Sequence, residues 1–168
     1  IMFLSGFGFH LVELGHFAAY LALAVALVQA LAPAAAGFFR RPDLARIGIN
    51  ASIVVFVLTT IGGLAMIHAF VSDNFSVQYV ASNSNSKLPL QYRVAGAWGG
   101  HEGSLLLWCV MLGVWMSAVA LFSTHLPEDM AARVLGVLGI VSVGFLAFML
   151  FTSNPFDRLF PAAEDGRD

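Results

Sequence analysis

Residues 134–151 read VLGVLGIVSVGFLAFMLF, a stretch with no charge and a single hydroxyl. At a helical rise of about 1.5 Å per residue it reaches nearly across a hydrocarbon core of about 30 Å. A strand crossing a membrane in a barrel would alternate apolar and polar residues, and this stretch does not. In lipid the backbone must satisfy its own hydrogen bonds, so the run is expected to be a membrane-spanning helix.

Earlier in the chain, residues 11–31, 47–71 and 104–122 form three more such runs. The expected fold class is all-α: a multi-pass transmembrane helical bundle of about four spans, forming a single membrane domain over residues 1–168. An outer loop at 72–103 separates spans two and three, and an outer tail covers 152–168. Composition agrees, since hydrophobic types make up 59% of the 168 residues and charged types 11%, against roughly 25% charged in soluble domains. A net charge of −2 gives no footing for nucleic acid, so the expected surroundings are lipid. The single cysteine, Cys109, excludes an internal disulfide, a CxxC pair and a thiolate metal cluster within the chain, and reads as a small buried side chain. Pro33, Pro127 and Pro155 read as helix boundaries rather than kinks.

Basic residues set the expected orientation. Arg40, Arg41 and Arg46 cluster after the first run, and Arg133 closes the connection between the third and fourth, which puts both connections in the cytoplasm. Lys87, Arg93, Arg158 and Arg167 count the other way, but three arginines in one short connection outweigh them. APAAAG at 32–37 contains an A-x-A pattern. No Lys or Arg precedes the first run, however, and its head carries His10, Glu13 and His16, so it reads as a retained span and not a signal peptide.

Ionisable residues inside or beside spans are costly and invite a functional reading. Glu13 and His16 lie three residues apart on one face of the first helix. His68 sits near the outer end of the second, and His101 and Glu102 stand at the start of the third. They form a possible outer-face cluster, or else they mark helix ends that reach water. AWGGHEGSLLLW (97–108) has the stronger claim. Gly99, Gly100 and Gly103 permit a tight backbone path, and an acidic group there meets the positive end of the helix dipole. If the helix starts near His101, then His101, Leu105, Trp108, Leu112 and Trp115 share one stripe. Trp98 and Trp108 suit an aromatic belt, whereas Trp115, near the midplane, is expected to pack against a helix. HExxH would need a second histidine at 105, where Leu105 stands, so no metal site is read here.

Gly136, Gly139 and Ser142 form a small-residue stripe suited to close helix contact. Asn50, Ser52, Thr59 and Thr60 can bond within a bundle. VQYVAS (77–82) reads as a short strand or an interfacial segment. There is no nucleotide loop and no nucleophile elbow.

ELGHF (13–17), YVASNSN (79–85), AWGGHEGSLLLW, VSVGFLAFMLFTSNPF (141–156) and EDGRD (164–168) together resemble the N-terminal part of the CcmF family of cytochrome c-type biogenesis proteins, with its close relative NrfE. The resemblance covers nearly the whole chain. It implies a protein of the bacterial cytoplasmic (inner) membrane that takes part in haem handling and covalent haem attachment to apocytochrome c at the periplasmic face. Implied partners are the haem chaperone CcmE, CcmH/CcmI-type subunits, apocytochrome c and the remaining CcmF-type membrane part. The implied cofactor is haem, b-type or in transit. The family's WWD segment and haem-ligand histidines belong to downstream sequence, so the chain resembles an N-terminal piece or split-off subunit of a haem lyase assembly. The ligands are therefore not carried over to His10, His16, His68, His101 or His125, and no catalytic residue is assigned. Trp98, His101, Glu102 and Trp108 become a candidate wall facing haem or its chaperone. Two other readings stay open: a structural scaffold for the catalytic part, and a haem or ion transport subunit.

Overall fold

The computed structural model describes residues 2–72, 77–122, 127–152 and 154–157, with the side chains of residues 2–10, 42, 101, 128 and 129 outside that description. Six helices follow one another: α1 Met2–Phe39, α2 Pro42–Val71, α3 Gln78–Asn83, α4 Leu90–Gly96, α5 His101–Phe122 and α6 Glu128–Phe151. Four of them, α1, α2, α5 and α6, are long and apolar enough to cross a membrane. α1 packs on α2 and α6, and α5 packs on the same two. This leaves α3, α4 and the segment after α6 together at one end, the loop end, and the α1–α2 turn at the other, the arginine end.

Small residues set the helix spacing. A Cβ built at Gly48 would lie 2.9 Å from Ala32 Cβ, and one at Gly113 would lie 2.9 Å from Phe56 Cα. The expected stripe on α6 behaves as read: a Cβ at Gly136 would meet the Pro33 ring at 2.7 Å, and one at Gly139 would meet Ala30 N at 3.0 Å. Gln29 is fully buried beside this contact. Its amide donates to the Leu135 carbonyl at 2.6 Å and to Met116 Sδ at 3.0 Å, which ties α1 to α6 and α5. Cys109 is buried, as its surroundings in the sequence imply.

Several expectations are corrected. Pro33 lies inside α1 and not at its boundary. A membrane helix tolerates proline where neighbours cover the disturbed backbone, and Gly136 of α6 sits directly on this ring. α2 starts five residues before the expected run, because Pro42 suits the first helical position and Asp43 the first turn. The stretch at 77–82 is mostly helix: Val77 makes a lone bridge and α3 begins at Gln78. Trp115 is 66% exposed within this chain. Asn50 is exposed, and the Ser52 and Thr59 hydroxyls bond carbonyls of their own helix and not a neighbour.

Candidate functional site at the loop end

Tyr79 of α3 organises this end. It is buried, and its hydroxyl donates to the Ala97 carbonyl at 3.0 Å, with the Gly100 carbonyl at 3.3 Å as the alternative acceptor. The same oxygen accepts the Gly100 N–H at 2.9 Å. The turn from Ala97 to Gly100 is thus wrapped around one phenol, and it delivers the chain into α5, whose first bond runs from Ser104 N–H to the Gly100 carbonyl.

The glycines of WGGHEG serve this wrapping by leaving room. None of the described glycines has positive φ. A Cβ at Gly100 would lie 2.7 Å from the Tyr79 ring, and one at Gly103 would collide with the Ala97 carbonyl and come within 2.5 Å of the Tyr79 oxygen. Close approach, not left-handed backbone, is what glycine provides here. Burial pushes the Tyr79 phenol above the usual tyrosine range. The Gly100 and Gly103 amides pull it back, and the Glu102 carboxylate adds to the rise.

The segment after α6 closes the bundle from the other side. Phe156 is buried among Gly15 and Ala65 of the α1–α2 contact: a Cβ at Gly15 would meet Ala65 Cβ at 2.7 Å and the Phe156 ring at 3.0 Å. Asn154 Oδ1 accepts the Phe156 N–H at 2.9 Å, while Asn154 Nδ2 lies 2.9 Å from His16 Nε2. The His16 ring also stacks on Phe156 at 5.6 Å between centroids. ELGHF and TSNPF, separate strings in the sequence, are therefore two halves of one lock. The Asp157 carbonyl then accepts the Gln78 N–H at 2.9 Å, joining the lock to α3.

The candidate residues take distinct places around this assembly. His16 is engaged in the lock, and Glu13 lies exposed on α1. His68 is half-buried in the last turn of α2, whose final carbonyls are capped by Ser72 and by Arg93 of α4, the latter reaching Val71 O at 3.1 Å. Glu102 lies in the first turn of α5. It lines a polar crevice of about 170 Å³ with Gln78, Tyr79, Ser82, Asn154 and Asp157. Trp98, 42% exposed, lies instead over an apolar crevice of about 130 Å³ between α2 and α5, with Thr60, Gly63 and Leu106. Trp108, 55% exposed, stacks on Phe145 of α6 at 6.0 Å. Glu102 is thus brought to Tyr79 and Asn154, while the two tryptophans lie on different sides of α5. The side chains of His10 and His101, and all of His125 and EDGRD, lie outside the described residues. Among the described residues, no three His, Cys, Asp or Glu side chains are grouped to hold a metal ion.

Sequence reasoning passed over Tyr79, Asn154 and Phe156. The clue was available, because YVASNSN and TSNPF are polar or aromatic strings directly beside spans, and each supplies a side chain that bonds backbone of another element.

No protein-family profile matches the chain. It is 48% identical over 149 residues to the cytochrome c-type biogenesis protein CcmF of Haemophilus influenzae, an alignment covering 89% of this chain and 23% of that protein. It is 47% identical over 157 residues to CcmF of Pseudomonas aeruginosa, covering 93% and 24%. NrfE of Haemophilus influenzae is 41% identical over 156 residues, covering 93% and 25%. A solved structure of the cytochrome c haem lyase CcmF matches with a TM-score of 0.81 at 27% identity, over 88% of this chain and 25% of that one. The chain thus spans about a quarter of the length of the relatives it matches. With this identity along most of its length and the same arrangement of helices, the chain belongs to the CcmF/NrfE family of cytochrome c-type biogenesis proteins and matches the N-terminal part of its members.

Proposed function

We propose that this chain is the N-terminal membrane part of a CcmF-like haem lyase, a single membrane domain of the bacterial cytoplasmic membrane whose loop end faces the periplasm. Its task is to hold the outer face on which haem is handed from CcmE and joined to apocytochrome c, with CcmH/CcmI-type subunits and the remaining CcmF-type membrane part as partners. The observation that carries this reading is the wrapping of Ala97–Gly100 around Tyr79 in a chain of this family. It fixes the start of α5, and with it His101 and Glu102, at the end opposite the arginine cluster. Arg93 no longer argues against this orientation, because its guanidinium bonds the α2 C-terminus.

Haem enters as the material being attached, not as a group lodged in this bundle. Ligation is assigned to other parts of the lyase, because the family's haem-ligand histidines lie in sequence downstream of the part matched here, and this chain supplies residues around the start of α5: Trp98, His101, Glu102 and Trp108. When thioethers form, the reacting thiols come from the apocytochrome and the vinyl groups from haem; the protein supplies orientation.

The test is a haem-stained gel of membrane proteins from cells lacking the gene and from cells with it restored. Loss and recovery of covalent haem bands supports the reading, and unchanged bands refute it. A second reading, a scaffold that touches neither haem nor chaperone, draws on the engagement of His16 by Asn154 and of the glycines by Tyr79. Replacing His101 and Glu102 together by Ala separates the two: normal haem protein yield favours the scaffold, and reduced yield at unchanged protein level favours the haem-facing surface. Of the residues that the transport reading draws on, Thr59 bonds its own helix, Asn50 is exposed and Thr60 lines the apolar crevice between α2 and α5.

A further inference from the structure

The α1–α2 turn carries a feature that chain reversal does not require. α1 closes with a bond from Arg41 N–H to the Ala36 carbonyl at 3.1 Å, the six-residue closure that places a left-handed residue just past the helix end. That residue is Arg40, at φ 52, the one non-glycine residue with positive φ among the described residues. Glycine takes this conformation freely, and a residue with a Cβ does so against strain. Charge-directed topology asks for arginine somewhere in the connection, not at its strained position. Strain of this kind is held where a side chain has a task.

The surroundings say what the task is. Phe38 and Phe39, immediately before Arg40, are 83% and 63% exposed and meet edge to face at 5.0 Å. Arg41 is paired with Asp43 at 2.8 Å, so its charge is already answered. Arg46 is exposed one turn into α2. Arg133 is exposed on α6, and the Gly136–Pro33 contact places it level with the last turn of α1. Glu128 and Asp129 begin α6 at this same end, so the basic excess is local to the α1–α2 turn. Two exposed, wholly apolar rings at the end of a membrane helix, followed at once by an exposed cation, set an acyl-chain contact beside a charge at headgroup level.

We propose that the α1–α2 turn is a binding site for an anionic phospholipid: Arg40, flanked by Arg46, takes the headgroup phosphate, while Phe38 and Phe39 lie along the upper acyl chains. The site is independent of which leaflet the turn faces, and so of the orientation proposed above.

The test is native mass spectrometry of the detergent-solubilised protein offered phosphatidylglycerol or phosphatidylcholine. Phosphatidylglycerol is expected to be retained in preference. Arg40→Gly is expected to lower that retention about fivefold while raising the melting temperature, because glycine relieves the left-handed position. Arg40→Gln, which removes charge but keeps bulk, is expected to lower retention without the gain in melting temperature. Equal retention of both lipids by the parent protein, or unchanged phosphatidylglycerol retention in both variants, would overturn the site. Millimolar inorganic phosphate is expected to leave retention unchanged; displacement of the lipid by phosphate would reassign the turn to a free anion and overturn the lipid assignment.

Discussion

At the arginine end, two residues join α1 to α2, and the ion pair found there, Arg41 with Asp43, is exposed on both sides. At the loop end, Tyr79, Asn83, Arg93 and Asn154 each bond backbone carbonyls or amides, and the span-to-span connection carries two short helices. Reversing a chain needs only the first kind of construction. The second kind immobilises a surface, because each of these side chains holds backbone of the connection or of a helix end in place. The difference separates an end whose connection is two residues with exposed side chains from one shaped to present the start of α5.

The comparison breaks first at Phe156. Truncating it to Ala empties the junction of Gly15, Gly62 and Ala65, and a loss of about 3–5 kcal/mol is expected, read as a large fall in melting temperature in detergent. Gly103→Ala comes next. In an ordinary helix this change adds stability, by about 1 kcal/mol; here the new methyl collides with the Ala97 carbonyl, and a loss of about 1–3 kcal/mol is expected. A gain in melting temperature would show that the turn is not wrapped as described.

Tyr79→Phe leaves the Ala97 carbonyl and the Gly100 amide without their phenol, at an expected cost of about 1–3 kcal/mol. Its pH dependence has a definite sign. Because burial raises the folded-state value of the phenol, the stability that protonated Tyr79 contributes is complete below the unfolded tyrosine value near pH 10 and is lost as pH rises through the folded value. The difference in melting temperature between the parent protein and Tyr79→Phe should therefore be constant through neutral pH and change only in alkali. Asp43→Ala is the smallest effect. Both partners of its ion pair are more than half exposed, and a change within about 1 kcal/mol is expected. A larger loss there would erase the contrast between the ends.

The shafts of the bundle were legible from hydropathy because lipid leaves the backbone no alternative to helices. The α6 stripe of Gly136, Gly139 and Ser142 was legible because small residues at helical spacing have one principal use in a membrane. Pro33 misled, since what makes it tolerable is Gly136, far away in sequence. Trp115 is 66% exposed among the helices of this chain, so its midplane position alone did not reveal its surroundings. In AWGGHEGSLLLW the glycines were noticed but their purpose was not. They make room for a phenol on α3, and no pattern within the stretch encodes that. His16 stood out as an ionisable residue, whereas its partners Asn154 and Phe156 lie in a string after the last span that was quoted only for its family likeness.

Orientation joins these observations to function, and labelling of introduced cysteines reads it directly. Cys109 is buried within the bundle, which keeps the background low. With a membrane-impermeant maleimide on intact spheroplasts, Lys87→Cys at the loop end is expected to react, and Arg46→Cys at the arginine end is expected to react only after lysis. The reverse pattern would put the loop end in the cytoplasm and contradict its assignment to periplasmic haem attachment.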